Sequence, residues 1–213
     1  MSWFKRNAPQ PAEATAPPAA VAQQSRAFEA IVQRLERAVE RGQRPRVLDL
    51  GPAVSRNVDF FTERGCSLQI ADLYRSLPAD SRSAEPEIFA AALATALPES
   101  GAGADLVLAW DLVNYFSLAA LVPLGALLAR QTAPDGVVFA LLATHKTMPA
   151  HPQRYRVLDV GTLETAAPQG AEEIPTPRYR QPELERCLPH FRVETTYLLR
   201  GGMQEYILLR RRS

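Results

Sequence analysis

From Ser25 onward, apolar residues recur at helical spacing. Phe28, Ile31, Val32, Leu35 and Val39 share one face, while Arg34, Glu36, Arg37, Glu40 and Arg41 fill the others. The pattern predicts an amphipathic helix over 25–42, with Ser25 as its N-cap and Gly42 as its stop. The period then changes. Arg46-Val47-Leu48-Asp49-Leu50 is a short apolar run ending at Gly51, which suits a buried parallel strand. Val54, Val58 and Phe61 return to helical spacing, and Gly65 closes that segment. Ser67 to Ala71 and Asp105 to Trp110 read as further strands. Leu118 to Arg130 reads as a buried helix, apolar nearly all round, and Val137 to Ala143 as the strand after the Asp135-Gly136 turn. Glu183 to Leu188 follows Pro182 as a short helix. Phe191 to Leu199 and Met203 to Arg210, joined by Arg200-Gly201-Gly202, carry a hairpin signature. Strands alternating with helices imply βαβ units. The expected fold is α/β: a Rossmann-like, seven-stranded, mostly parallel sheet with helices on both faces and a C-terminal antiparallel hairpin.

Three stretches stand outside that alternation. Residues 1–24 are rich in Ala, Pro and Gln and bury too little to offset chain entropy, so a disordered tail is expected before a single domain over 25–213. Between 73 and 104 one more strand is needed, and Glu87 to Leu93 is its best place, although its alanines suit a helix equally. Residues 145–181 are Pro-rich, read as irregular and are too long for a plain connection, as in a lid or substrate-side insertion.

Composition removes several classes of function. Basic and acidic residues balance at 24 against 23, so no strong field draws nucleic acid or an anionic membrane, and the Arg210-Arg211-Arg212 end is too short to change that. The two cysteines lie far apart and the three histidines have no metal-ligand spacing, so no metal site is expected. No apolar run is long enough for a membrane span, and no signal peptide is legible. The expectation is a cytoplasmic protein.

The chemistry concentrates at strand ends. Asp49-Leu50-Gly51-Pro52-Ala53-Val54-Ser55 leaves a strand and opens a helix, a turn that brings backbone and a helix N-terminus close to a ligand. Asp72 ends the next strand, 21 residues after Gly51, where an acid accepts hydrogen bonds from ribose hydroxyls in nucleotide sites. A nicotinamide-dependent oxidoreductase also uses such a turn, but its sheet continues with parallel strands, whereas this chain ends in a hairpin. With Leu97-Pro98 before the strand Asp105–Trp110, the Asp111–Tyr115 loop and Pro134-Asp135-Gly136, the chain resembles the class I S-adenosylmethionine-dependent methyltransferases over roughly residues 45–211. The resemblance implies S-adenosylmethionine as cofactor and methyl transfer to a small-molecule or protein acceptor. It assigns Asp49, Gly51, Ala53, Asp72, Trp110 and Asp111 to the cofactor, and Asn114 and Tyr115 to the loop beside the reacting centre. Asp111 and His145 are the candidate bases for an acceptor. Arg156 and Arg178 are candidates for holding an anionic one.

The cofactor turn is degenerate, however. Ala53 and Ser55 stand where the family carries glycines, and Ala90-Ala91-Ala92-Leu93-Ala94 lacks the acid that holds adenine in many members. A catalytically inactive binding or regulatory module with this fold is the alternative.

Overall fold

A computed structural model describes residues 20–78, 85–98, 103–166 and 172–212. Strand β1 (Ala20–Gln24) leads into helix α1 (Arg26–Glu40). Ser25 caps α1, its hydroxyl oxygen accepting from Phe28 N–H at 3.1 Å, and Gly42 ends the turn beyond it at φ 77°. Strand β2 (Arg46–Asp49), helix α2 (Ser55–Glu63), strand β3 (Ser67–Ile70) and the short helix α3 (Leu73–Ser76) follow. Helix α4 (Pro86–Ala96), strand β4 (Ala104–Trp110), a 3-10 turn over Leu112–Tyr115, helix α5 (Leu118–Gln131) and strand β5 (Thr132–Ala143) complete the first half. Four short strands come next: β6 (Thr147–Pro149), β7 (Arg154–Asp159), β8 (Thr162–Ala166) and β9 (Glu173–Pro175). Helix α6 (Gln181–Cys187) and the strands β10 (Phe191–Leu198) and β11 (Met203–Arg210) end the chain.

Among the described residues the main sheet has six strands, ordered β10-β11-β5-β4-β2-β3, one fewer than the sequence suggested. β3, β2, β4 and β5 run parallel, β11 is antiparallel to β5, and β10 is antiparallel to β11 from Phe191↔Arg210 to Leu198↔Gln204. The missing strand is the segment Glu87 to Leu93, which lies within α4. Pro86 sits in the first turn, Glu87 favours the positive end of the helix dipole, and no β-branched run opposes the alanines. Phe89 and Leu93, one helical turn apart, bury their side chains.

Side chains alternate between the two faces of the sheet and so divide the core in two. Leu48, Leu50, Val107 and Ala109 face α4, α5 and α6. Val47, Leu106, Leu108 and Trp110 face α1, α2 and β7. Phe28 of α1 anchors that second core, its ring 5.7 Å from Phe139 and 6.3 Å from Trp110.

Two expectations need correction. Ala20–Gln24 is not part of a disordered tail: it is strand β1, paired antiparallel with β8 in the sheet β1-β8-β7, while residues 1–19 lie outside the described residues. Nor is 145–181 irregular, since four strands lie within it. β7 shows why. Arg154 and Arg156 point outward while Tyr155 and Val157 are buried, a period of two that the surrounding prolines obscure in the sequence.

Asn57 clips this arm to α2. Its side-chain amide donates to Tyr155 O at 3.0 Å and its carbonyl oxygen accepts from Val157 N–H at 2.8 Å, all buried. Asn57→Ala leaves two buried backbone groups without partners and is expected to lower stability by about 2–4 kcal/mol in urea unfolding. A loss under about 1 kcal/mol would mean that the arm holds without the clip.

Candidate functional site

The carboxyl ends of β2, β3 and β4 deliver Asp49, Asp72 and Asp111 to one edge of the sheet, where open α/β sheets bind ligands. The backbone continues the ladder past the strands: Leu50 N–H donates to Leu108 O at 3.0 Å, Ala71 N–H to Asp49 O at 2.8 Å and Leu73 N–H to Leu50 O at 3.0 Å. Asp72 is half-buried and caps α3, accepting from Arg75 N–H at 3.4 Å.

β4 ends in a sharp reversal at Trp110, whose φ of 48° lies in the left-handed region. Its indole lies over the turn after β2. Nε1 donates to Asp49 Oδ1 at 2.7 Å, and Gly51 N–H donates to the same oxygen at 2.9 Å. A face of the indole stacks on Tyr155, with centroids 5.0 Å apart and planes 3° apart. Gly51 is needed for this close approach, because a Cβ there would stand 2.8 Å from Trp110 Cδ1. Burial pushes the Asp49 carboxyl up to about 6, although the Gly51, Trp110 and Asn57 donors oppose it.

Asp111 is 3 % exposed. Its Oδ2 accepts from Gln153 N–H at 3.0 Å, whereas its Oδ1 has no hydrogen bond of normal geometry. The Tyr155 hydroxyl acts on this carboxyl as a donor and lowers its pKa. Burial outweighs that donor and the Gln153 N–H, and Asp111 rises to about 7. Gly51, Asp72, Tyr74, Asp111, Pro152 and Gln153 enclose a cavity of about 20 Å³. A larger hollow of about 260 Å³ opens at the opposite, amino-terminal ends of β2, β3 and β4, beside Arg46, Ser67 and Ala104, and among the described residues no acid lines it.

The structure thus brings Asp49, Gly51, Asp72, Trp110 and Asp111 together. Ala53 is exposed beside them and does not line the cavity. Asn114 is buried, with its amide spent on Asp111 O and Leu141 O and its carbonyl on Ala143 N–H, so it braces the loop against β5. The Tyr115 hydroxyl lies 3.0 Å from Pro149 O and 2.8 Å from His151 O and shares its one proton between them, holding the segment that closes the cavity. His145 is not brought to the cleft. It is exposed, with Nε2 3.2 Å from Gly201 O at the hairpin turn. Arg156 pairs with Glu164 at 2.7 Å, and Arg178 Nε donates to His145 O at 3.3 Å, so neither arginine reaches the cavity. Sequence reasoning passed over Tyr74, Pro152, Gln153 and Tyr155. The last three come from about 100 positions downstream of the turn they cover, and no local spacing connects them. Among the described residues no group of His, Cys, Asp and Glu could hold a metal ion, and no helix is long and apolar enough to cross a membrane.

No family model matches the chain. No curated protein matches it in sequence either. The chain is similar to several solved structures. DesVI of Streptomyces venezuelae is 14 % identical, with 86 % of this chain and 92 % of that one covered at a TM-score of 0.47. CalS10 of Micromonospora echinaspora, an amino pentose methyltransferase solved with S-adenosylmethionine bound, is 15 % identical, with 86 % and 91 % covered at 0.47. An O-methyltransferase family protein from Burkholderia thailandensis is 18 % identical, with 86 % and 57 % covered at 0.42.

Proposed function

We propose that the strand-end cleft binds S-adenosylmethionine and that this chain transfers its methyl group, in the cytoplasm, to a small-molecule or protein acceptor. The observation that carries the reading is the convergence of Gly51, Asp72 and Asp111 on one cavity. The donor set suits the ligand: Asp72 offers a carboxylate to ribose hydroxyls, and the Gly51 turn offers close backbone approach. The space is short, since about 20 Å³ is far below the roughly 300 Å³ of a small-molecule pocket. Loading therefore needs Pro152 and Gln153 to move off Asp111.

When bound, the sulfonium supplies an electrophilic methyl group. Asp111, poised near neutrality, takes a proton from the acceptor. Titration calorimetry against S-adenosylmethionine tests the reading, and no heat at millimolar ligand would end it. Asp72→Ala is expected to weaken that binding by about tenfold or more through loss of the ribose contact. Unchanged affinity would place the ribose elsewhere.

A second reading has one specific observation behind it. The Trp110 indole, itself stacked on Tyr155, fills the space over Gly51. Under that reading the fold serves as a non-catalytic binding module, and calorimetry with S-adenosylmethionine stays flat.

A further inference from the structure

Between β6 and β7 the chain passes the strand-end cleft in four residues, Ala150 to Gln153. Both ends of this crossing are anchored, since Met148 before it and Tyr155 after it are buried. The crossing itself buries no side chain: His151 is exposed, and Ala150, Pro152 and Gln153 are half-buried. Polar contacts hold it. Ala150 N–H donates to Glu172 O at 2.8 Å, beside the last pair of β6 and β9. The Tyr115 hydroxyl is shared between Pro149 O and His151 O, and the Tyr74 hydroxyl lies 3.4 Å from His151 Nδ1. Gln153 N–H donates to Asp111 Oδ2 at 3.0 Å. A segment of this kind lifts without uncovering a buried side chain of its own, and water replaces the hydrogen bonds it gives up.

We propose that Ala150–Gln153 is a strap over the cleft, caught on Asp111 and released when that carboxyl ionises. As the regulation of an S-adenosylmethionine site the idea rests on the methyl-transfer reading; as a moving strap it rests on the geometry alone. The groups around Asp111 supply no cation. Gln153 N–H meets it from the strap, the Tyr155 hydroxyl acts on it from β7, and Tyr115 feels its charge from the 3-10 turn. Asp72 at the end of β3 and Tyr74 of α3 line the same cavity, and among the described residues no lysine or arginine does. An ionised Asp111 under the strap is therefore a buried charge held by neutral donors, a state that water stabilises better. With the strap down, burial raises the carboxyl from 3.8 to about 7 against the pull of the Gln153 and Tyr155 donors. With the strap lifted, water reaches the carboxyl and returns it toward its ordinary range. The closed state thus holds the proton more tightly than the open one. The strap stays down in mild acid, lifts more often as pH rises, and levels off above about pH 7. The imidazole of His151 is a second titratable group, carried on the strap itself, and an Asp111 variant separates the two.

Hydrogen exchange at the Gln153 amide reads the release directly. It is followed by NMR in the full chain and corrected for the intrinsic exchange rate at each pH. The Phe139 amide, in the middle of β5 between β4 and β11, reports global unfolding in the same samples. Gln153 is expected to exchange faster than Phe139 at every pH, and to lose its protection by at least about tenfold between about pH 5 and about pH 8. Asp111→Asn keeps an oxygen for Gln153 N–H but cannot ionise, and its Gln153 protection is expected to stay constant within about twofold over that range. Gln153 exchanging in step with Phe139 would mean that the strap does not lift by itself and would overturn the proposal. So would a wild type whose protection does not fall, or an Asp111→Asn chain that keeps the fall. A separate titration with S-adenosylmethionine keeps the two ideas apart. If it gives no heat while Gln153 protection falls with pH, methyl transfer falls and the strap stands. If it binds while that protection stays constant, the strap falls and the cofactor site stands.

Discussion

Asp111→Asn is expected to stabilise the fold at mildly alkaline pH by up to about 4 kcal/mol, and to flatten the pH dependence of unfolding between about pH 4 and 7. The sign is the reverse of the usual one for a carboxyl. A salt-bridged aspartate has a depressed pKa, and its contribution is lost as pH falls. Asp111 instead rises from 3.8 to about 7 through burial, so the native state holds its proton more tightly than the unfolded chain does. Stability therefore falls as pH climbs from about 4 to about 7, and levels off once Asp111 is ionised in both states. At about 1.36 kcal/mol per pKa unit the loss reaches about 4 kcal/mol. Asp49, raised from 3.8 to about 6, adds a second decline in the same direction, complete about one unit earlier. The amide that replaces the carboxyl in the Asp111→Asn variant cannot ionise, and its oxygen still accepts from Gln153 N–H. Urea midpoints across pH measure the effect. The expected profile for the wild type slopes downward to neutrality, and for Asp111→Asn a shallower decline remains from the other carboxyls that burial raises, Asp49 and Glu205. A wild type whose stability rises from pH 4 to 7, or a variant that keeps the full slope, would show that the buried carboxyl is not what governs it.

The sequence contains the strand-end geometry of this site but not its roof. Asp49 and Gly51 were legible because a short apolar run gave way to small residues and then to helical spacing. Asp72 was legible by its distance from them, and Asp111 by following an apolar strand. Each of these signals is local. The roof is not: Tyr155 is held by Asn57 from 98 positions away and stacks on Trp110, and Gln153 N–H donates to Asp111 from 42 positions away. The prolines and arginines around β7 masked its alternation, so a strand pair packed in the core read as irregular chain. The helix α4 went astray for another reason. Completing a strand count is a demand of the architecture, whereas Pro86, Glu87 and the alanines state a local preference, and here the local preference won. His145 and the two arginines show the limit of reading chemistry from residue type alone: nearness in sequence to a strand end did not turn them toward the cleft.

Trp110→Ala is expected to be among the most damaging single changes in the chain, at about 3–5 kcal/mol, because it empties a buried site between Phe28, Phe139 and Tyr155. It also removes the Nε1 donor from Asp49, whose carboxylate is then held by fewer hydrogen bonds. The loss should accordingly be larger above pH 6, where Asp49 is charged, than below it. Backbone geometry adds a comparison that packing alone would not give. At an ordinary strand position glycine is less stable than alanine by about 0.5–1 kcal/mol. Trp110 sits at φ 48°, where a Cβ costs about 1–2 kcal/mol, so Trp110→Gly is expected to be the more stable of the two variants. Urea unfolding of both decides it, and alanine at or above glycine would mean that the reversal relaxes once the indole is gone. The same pair bears on the two functional readings. With the indole removed from above Gly51, a chain that is plugged from within should bind S-adenosylmethionine more tightly than the wild type. A chain whose cleft opens by moving Pro152 and Gln153 should gain nothing, because the indole would then be a wall of the site and not its obstacle.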